Sequence, residues 1–281
     1  MVSLLSFNFS VAGDKSWMAD YNEPLQIMPQ TTKQPTDDFI NKFPERLTWS
    51  ESVIHTSYIT RPFNSIYNEQ GKINMCAHNI EQYIKLCKRL KYKRLLIHLP
   101  QTMEEMGEIG NGFGLLLDLF NKEENKNLIL VLEIPAFKKG FKANVLKYFK
   151  SIVKYYFSLF KNNNVEFCYD TAHLFANGVD CLDMINLFES DVYGKKLLDY
   201  AKIIHFNGNS KPQFKSDQHI QIYDQSENKL THVKELAEYL RDKNKILITE
   251  NTHGNGTYED WDNFAKEHKI NIVEKSQYLA A

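Results

Sequence analysis

The chain has no run of about 18 apolar residues, the length a helix needs to cross a bilayer, so a membrane-spanning helix is not expected. Its four cysteines, Cys76, Cys87, Cys168 and Cys181, include no C-x-x-C pair, which excludes zinc-ribbon spacing and a dithiol redox motif and leaves reduced, packed thiols as the expectation. There is no Gly-x-Ser-x-Gly element, so a nucleophilic serine elbow is unsupported. The glycine-rich stretch GEIGNGFG, Gly107 to Gly114, lacks the Lys-Ser/Thr ending of a phosphate loop and directly follows no strand; it reads as a loop. No low-complexity tract or Pro/Gly/Ser-rich linker marks a domain boundary. The amino-terminal MVSLLSFNFSVAGDK has no basic leader, which predicts a cytoplasmic protein (nuclear or virion-borne, depending on source) rather than a secreted one. Charge of one sign is also missing: the formal net charge is −1, which by itself argues against a polyanion partner unless bound metal alters the balance.

What is present is enough to fill a core. With 43 % apolar and 25 % charged residues, the 281-residue chain reads as globular. Eight short apolar or β-branched runs recur along it: SLLSFNF, PLQIM, SVIHTSY, RLLIHLP, LILVLEI, VEFCYD, KIIHFN and KILITEN. Between them lie stretches with helical spacing, such as Ile80, Tyr83, Ile84 and Cys87 after a cap at Asn74, or Val145, Tyr148, Phe149, Ile152 and Val153. Several runs are apolar on both alternating faces, the pattern of parallel strands covered by helices. Eight β-α units in 281 residues predict a single (β/α)8 TIM-type barrel domain over residues 1–281, in preference to a doubly wound open sheet.

Six of the eight strands end in a potential metal ligand, and these residues carry the chemistry. His55, His98, Glu133, Asp170, His205 and Glu250 follow one another at separations of 43, 35, 37, 35 and 45 residues, one β-α unit each time. In a barrel such residues converge on the carboxyl-terminal mouth. His173 lies just past the sixth strand, and Asp217 and His219 just past the seventh. Carboxylates crowded at one mouth repel unless positive charge sits among them, and divalent metal supplies it. Histidine and carboxylate ligands without cysteine suit Zn²⁺ or Mn²⁺, and nine ligands are enough for two or three ions. The other histidines serve as contrast: His78, His232 and His268 fall in predicted helices and His253 in a loop, where solvation or capping is expected. Asp37 and Asp38 fit the first turn of a helix, where the dipole favours them.

These residues resemble the endonuclease IV family of apurinic/apyrimidinic (AP) endonucleases. HTSY is similar to its His-x-x-Tyr segment, DTAHLFANGVD to its Asp-Thr-x-His-x-Phe-Ala-x-Gly-x-Asp signature, and HFNGNSK followed by DQH to its His-x-Asn-x-Ser-Lys and Asp-x-His pair. The resemblance runs from about Gln26 to Glu250.

It implies a DNA base-excision-repair enzyme with three zinc ions, Mn²⁺ being possible in part of the site. Such an enzyme hydrolyses the phosphodiester 5′ to an abasic site, giving a 3′ hydroxyl and a 5′-deoxyribose phosphate, and also removes blocked 3′ ends. By position, His55, His98 and Glu133 would hold the first ion, and Glu133, Asp170, His205 and Glu250 the second. His173, Asp217 and His219 would hold the third. Glu133 would be the bridging ligand, and Glu133 and Glu250 the catalytic carboxylates. Three dipositive ions would also turn the net charge positive, suiting a double-stranded DNA partner. Tyr58 would wedge into the base stack, Lys33 would match an intercalating arginine, and Lys211 and Gln218 would meet the DNA. The expected state is a monomer with no membrane partner.

This chain also departs from the family pattern. Gln218 replaces the usual arginine of Asp-Arg-His, Gly208 stands where an aspartate is common, LEIPAF lacks the polar residues that usually follow the bridging glutamate, and IQIYDQSEN replaces a glycine-rich segment after His219. Two other readings share the fold: a xylose-isomerase-like sugar isomerase or epimerase, needing only Glu133, Asp170, His205 and Glu250, and a DNA-lesion binding protein without cleavage.

Overall fold

A computed structural model describes residues 2–8, 25–28, 36–41, 52–57, 76–100, 111–137, 144–160, 165–223, 226–250 and 258–269. Asn74, His253, Lys33 and Tyr58 lie outside them. All eight sequence-predicted runs form strands: β1 Val2–Asn8, β2 Leu25–Met28, β3 Val53–His55, β4 Arg94–His98, β5 Ile129–Glu133, β6 Val165–Asp170, β9 Ala201–His205 and β12 Ile246–Thr249. They hydrogen-bond in the order β1-β12-β9-β6-β5-β4-β3-β2, a closed barrel, with helices between them in the chain. Two short antiparallel hairpins were not expected: β7 Asp191–Val192 with β8 Lys195–Lys196, and β10 Gly208–Asn209 with β11 His219–Ile220.

The chain divides into two compact units. One comprises Phe7–Leu132 and Tyr155–Val165. In it β3 pairs in parallel with β2 and β4, His55 opposite Leu96. Helix Cys76–Leu90 buries Ile80, Tyr83, Ile84 and Cys87, the stripe that the helical spacing marks, and sets Lys88 and Arg89 in its last turn, where the dipole favours cations. The Tyr83 hydroxyl accepts from the Ser57 N–H at 3.1 Å, which ties this helix to the chain leaving β3.

The other unit comprises Met1–Ser6, Glu133–Lys154 and Glu166–Ala281. Strand β9 pairs with β6 and β12, so that Asp170 lies opposite His205 and Ile248 opposite His205 on the other side. The period of two along β6 divides its labour. Phe167 and Tyr169 meet Phe149 of helix Val145–Tyr155, with ring centroids 5.0 and 5.1 Å apart, while Cys168 and Asp170 alternate with them. The aromatic pair anchors the strand whose last residue is a candidate ligand.

Two local expectations need correction, and the one for His232 is met. From Asn111 onward the GEIGNGFG stretch is not a loop but the start of helix Asn111–Phe120, since GLLLDLF supplies enough apolar residues to bury one face. His232 meets the expectation of solvation or capping: exposed, it precedes helix Val233–Arg241 as its cap residue, in a left-handed conformation, with Nδ1 3.2 Å from Glu235 Oε1. His268 is neither solvated nor capping: it is buried beyond the end of helix Tyr258–Glu267, its ring centroid 4.5 Å from that of Phe264 four residues earlier. The expected positions of Asp37 and Asp38 are met, both lying in the first turn of helix Asp37–Asn41. Among the described residues no helix is long and apolar enough to cross a membrane.

Candidate metal centre

Five of the six strand-closing candidates are the last residue of their strand, and Glu250 follows Thr249 directly. In the unit containing β3 and β4, the His55 and His98 rings lie 5.0 Å apart between centroids. His55 is buried, and its Nδ1 lies 2.7 Å from the Thr56 carbonyl, which holds the ring by one nitrogen and leaves Nε2 as the potential ligand atom.

The second unit gathers the remaining seven candidates. Glu133, Asp170, His205 and Glu250 each offer a ligand atom, all within 4.8 Å of one another. His205 Nδ1 sits 2.9 Å from Glu133 Oε1, 3.3 Å from Glu250 Oε2 and 3.6 Å from Asp170 Oδ2. Asp170, His173 and His219 form a second such group, sharing Asp170 with the first. Asp217 joins them through Oδ2, which is 3.2 Å from His173 Nε2 and 3.0 Å from His219 Nε2.

Local folding explains these positions. Asp170 is both the end of β6 and the N-cap of the short helix Thr171–Ala176, its Oδ1 accepting from the His173 N–H at 2.9 Å. The same acid therefore fixes the turn that presents His173, while Oδ2 is left for the site. The His173 ring is held by Nδ1, 2.7 Å from the Ile134 carbonyl. His219 is brought back by the β10–β11 hairpin, in which it lies opposite Asn209.

Electrostatics show how strongly so acidic a cluster favours positive charge. Burial alone would lower the affinity of these imidazoles for a proton. Against that, Asp170, Asp217 and Glu133 carry His173 well above its ordinary value, and Cys168, Glu250, Glu133 and Asp170 do the same for His205. His219 is likewise penalised by burial yet pushed up to about 9 by Asp170 and Asp217. Burial opposes ionisation of Asp217, but His173 and His219 beside it hold its carboxyl far below the usual range. Protons on imidazoles and metal dications satisfy the same demand, and the two exchange. Asp217 Oδ1 is shielded from solvent without a hydrogen-bond partner, as an atom kept for coordination would be. The donor set thus fits divalent metal. Cys168 lies beside His205, but burial pushes its thiol up to about 12, so no thiolate competes at neutral pH. Cys87, Cys168 and Cys181 are free and buried, as expected of packed thiols.

One central residue was given no role in the sequence reading, although it lies within the HFNGNSK motif. Asn207 is fully buried; its Nδ2 donates to Asp170 Oδ2 at 2.8 Å and to Glu250 Oε2 at 3.4 Å, while its Oδ1 accepts from the Glu250 N–H at 3.0 Å. Thr171 supports it, accepting from the Asn207 N–H at 2.9 Å and donating to the Asn207 carbonyl at 2.5 Å. The signal was its place two residues beyond His205, where a neutral donor can reach the neighbouring carboxylates. Lys211 and Gln218 are exposed, and their backbone N–H groups both donate to Asn209 Oδ1, at 2.9 and 3.3 Å.

No family model matches the sequence. The chain is 26 % identical over 178 residues to a protein described as "Probable endonuclease 4" from Sulfurihydrogenibium sp. (strain YO3AOP1), an alignment covering 60 % of each chain. It spans about 60 % of the length of the curated relatives it matches. In fold it is similar to endonuclease IV from Thermus thermophilus, with a TM-score of 0.60 at 17 % identity, over 95 % of this chain and 98 % of that one. A D-tagatose 3-epimerase-like protein gives a TM-score of 0.64 at 15 % identity, covering 94 % of this chain and 96 % of that one. The fold is thus common to an endonuclease IV and an epimerase-like protein, and it is the sequence likeness, together with the strand-end motifs, that marks the endonuclease IV family as the one this chain resembles.

Proposed function

We propose that the protein is a zinc-dependent AP endonuclease of DNA base-excision repair, a single barrel domain that hydrolyses the phosphodiester 5′ to an abasic site and also trims blocked 3′ ends. The observation that supports it best is the pair of adjoining donor groups sharing Asp170. Glu133, Asp170, His205 and Glu250 would hold one ion, and His173, Asp217 and His219, with Asp170 alongside, another. His55 and His98 are the ligands that the sequence resemblance adds for a third, with Glu133 bridging. When bound, zinc supplies positive charge that offsets the phosphate and the departing 3′ oxygen and lowers the pKa of water.

The chain's own residues supply the geometry. Asn207 orients Asp170 and Glu250, and Ile134 fixes the His173 ring by one nitrogen, so that the donors are set before substrate arrives. Glu133 and Glu250 are the carboxylates nearest His205 Nδ1, suited to holding a proton or an ion beside the scissile phosphate. Lys211 and Gln218, exposed on the loop leading to His219, are proposed to meet a phosphate backbone. Tyr58 and Lys33 are proposed to reach into the duplex at the lesion.

A sugar epimerase remains the second reading, because Glu133, Asp170, His205 and Glu250 alone suffice for it and the fold is shared. That chemistry gives no role to Asp217, which lies within 3.2 Å of two imidazoles. The test is incubation of the zinc-loaded protein with a duplex carrying one abasic site, followed by analysis of the product ends. A nick leaving a 3′ hydroxyl is expected; no cleavage with tight, lesion-selective binding would leave a lesion-binding protein, and neither cleavage nor binding would remove the DNA reading. Comparing Tyr58→Ala on abasic and intact duplexes at fixed salt then isolates lesion recognition, with a loss of about 1–3 kcal/mol expected on the abasic duplex alone.

A further inference from the structure

Phe214 has a backbone φ of +60°, a left-handed conformation that a bulky aromatic residue rarely adopts. Such strain persists only where surroundings over-determine it. Here they do: the Phe214 N–H donates to the Ala176 carbonyl at 2.9 Å, and its ring lies over Gly178 so closely that a methyl group there would overlap the ring. Gly178 itself has φ +92° and ends the turn that follows helix Thr171–Ala176. This turn is tied down from beneath by Asn177, whose Nδ2 donates to the Pro135 carbonyl at 3.0 Å and whose Oδ1 accepts from the Phe137 N–H at 2.7 Å.

The two ends of this contact lead to ligands. Gly178 belongs to the hook that begins at Asp170 and carries His173, and Phe214 precedes Asp217 by three residues in the loop that returns to His219. Asn209 braces the far side of that loop, its Oδ1 accepting from the Lys211 and Gln218 N–H groups and its own N–H donating to Asn228 Oδ1 at 3.1 Å. We propose that Phe214, seated on Gly178, is a positioning residue that sets the approach of Asp217 to His173 and thereby forms the metal subsite of His173, Asp217 and His219. The inference rests on the metal-dependent reading of the site, and it deepens that reading by naming what assembles one subsite.

A ring that merely fills a surface gap would affect stability and leave metal affinity alone. The experiment therefore reads zinc retention on the full chain, by dialysis against zinc buffered with a competing chelator, together with thermal melting. Phe214→Gly tolerates the left-handed backbone without strain and deletes only the ring; Phe214→Tyr keeps the ring. The expected result is that one zinc equivalent is held about 10–100-fold more weakly in Phe214→Gly and in Gly178→Ala, the range for losing a group that orients a ligand, while Phe214→Tyr retains wild-type binding. Wild-type zinc isotherms in Phe214→Gly, with or without a lower melting temperature, overturn the positioning role and leave the metal centre standing. A wild-type protein that takes up no zinc overturns both.

Discussion

Asn207 Nδ2 donates to Asp170 Oδ2 at 2.8 Å, a contact between two fully buried side chains. Its consequence is that Asp170 is gripped by both oxygens, Oδ1 by the His173 N–H and Oδ2 by Asn207, and can turn toward neither solvent nor the core. An amide is the side chain suited to this place, because it donates to the carboxylates and accepts from the Glu250 N–H at once. Replacing it by leucine would keep the volume and remove both functions. For Asn207→Leu we expect zinc affinity to fall about 10–100-fold, the range for losing a group that orients ligands, and stability to fall by about 1–3 kcal/mol for the unpaired Glu250 N–H. Zinc competition titrations and denaturant melts check the two effects separately. Unchanged zinc affinity would deny Asn207 its orienting role.

Glu133 stands nearest to His205, with Oε1 at 2.9 Å, and also lies 3.5 Å from His173 Nδ1. Glu133→Gln conserves shape but removes the charge that would offset adjacent dications. Cleavage of abasic duplex is expected to fall by more than about 100-fold, comparable with removing a principal electrostatic element. Circular dichroism should remain that of the wild type. Near-normal turnover would rule out a bridging role.

The strands were legible because parallel strands buried on both faces read as unbroken apolar runs, and the candidate ligands because a histidine or carboxylate closes six of the eight runs, as in IIH, CYD and VLE. The hairpins were not, since Gly208–Asn209 and His219–Ile220 are too short to show any period. The role of Asn207, a residue of the HFNGNSK motif, was hidden for another reason. An asparagine just past a strand reads as a turn residue, and only the placement of Asp170 and Glu250 beside it reveals its buried bonds. His268 misled in the opposite direction: helical spacing set it with other helix-borne polar residues, whereas its ring packs on Phe264 one turn back.

Gly208, which departs from an aspartate common in the family the chain resembles, is explained by its neighbours. A Cβ at this position would come within 2.9 Å of the Asn228 side chain and of the Gln221 carbonyl. Asn228 in turn holds the hairpin, accepting from the Asn209 and Leu230 N–H groups and donating to the Ile222 carbonyl. Gly208→Asp should therefore destabilise the protein by about 1–3 kcal/mol through overpacking instead of restoring a family feature. Asn228→Gly removes the side-chain clash together with the bonds that hold the hairpin, so the double variant should lose less stability than the sum of the two single variants. Melting temperatures of the single and double variants check this, and a stabilised Gly208→Asp would show that the hairpin yields where the geometry says it is packed.

In the proposed metal centre, metal removal and pH are expected to be linked through the three imidazoles of the second unit. His173 and His205 are carried well above their ordinary values and His219 to about 9, because buried carboxylates surround them. A group whose pKa is raised on folding contributes stability that is complete below its unfolded value, about 6.5 for histidine, and that is lost as pH rises through the folded value. The metal-free protein should therefore melt at progressively lower temperature between about pH 6.5 and 9, as protons leave a cluster that then holds uncompensated carboxylates. Zinc replaces those protons, so the loaded protein should show little of this slope, and its zinc affinity should rise over the same interval as fewer protons compete. Mild chelation near pH 7 should abolish activity while leaving a folded protein, since the protonated imidazoles still balance Glu133, Asp170, Asp217 and Glu250. Thermal melts of chelator-treated and zinc-loaded protein at about pH 6.5 and 9 measure the difference. Parallel melting curves for the two forms would show that the imidazoles do not exchange protons for metal, and cooperative unfolding on chelation near neutral pH would make the ions structural.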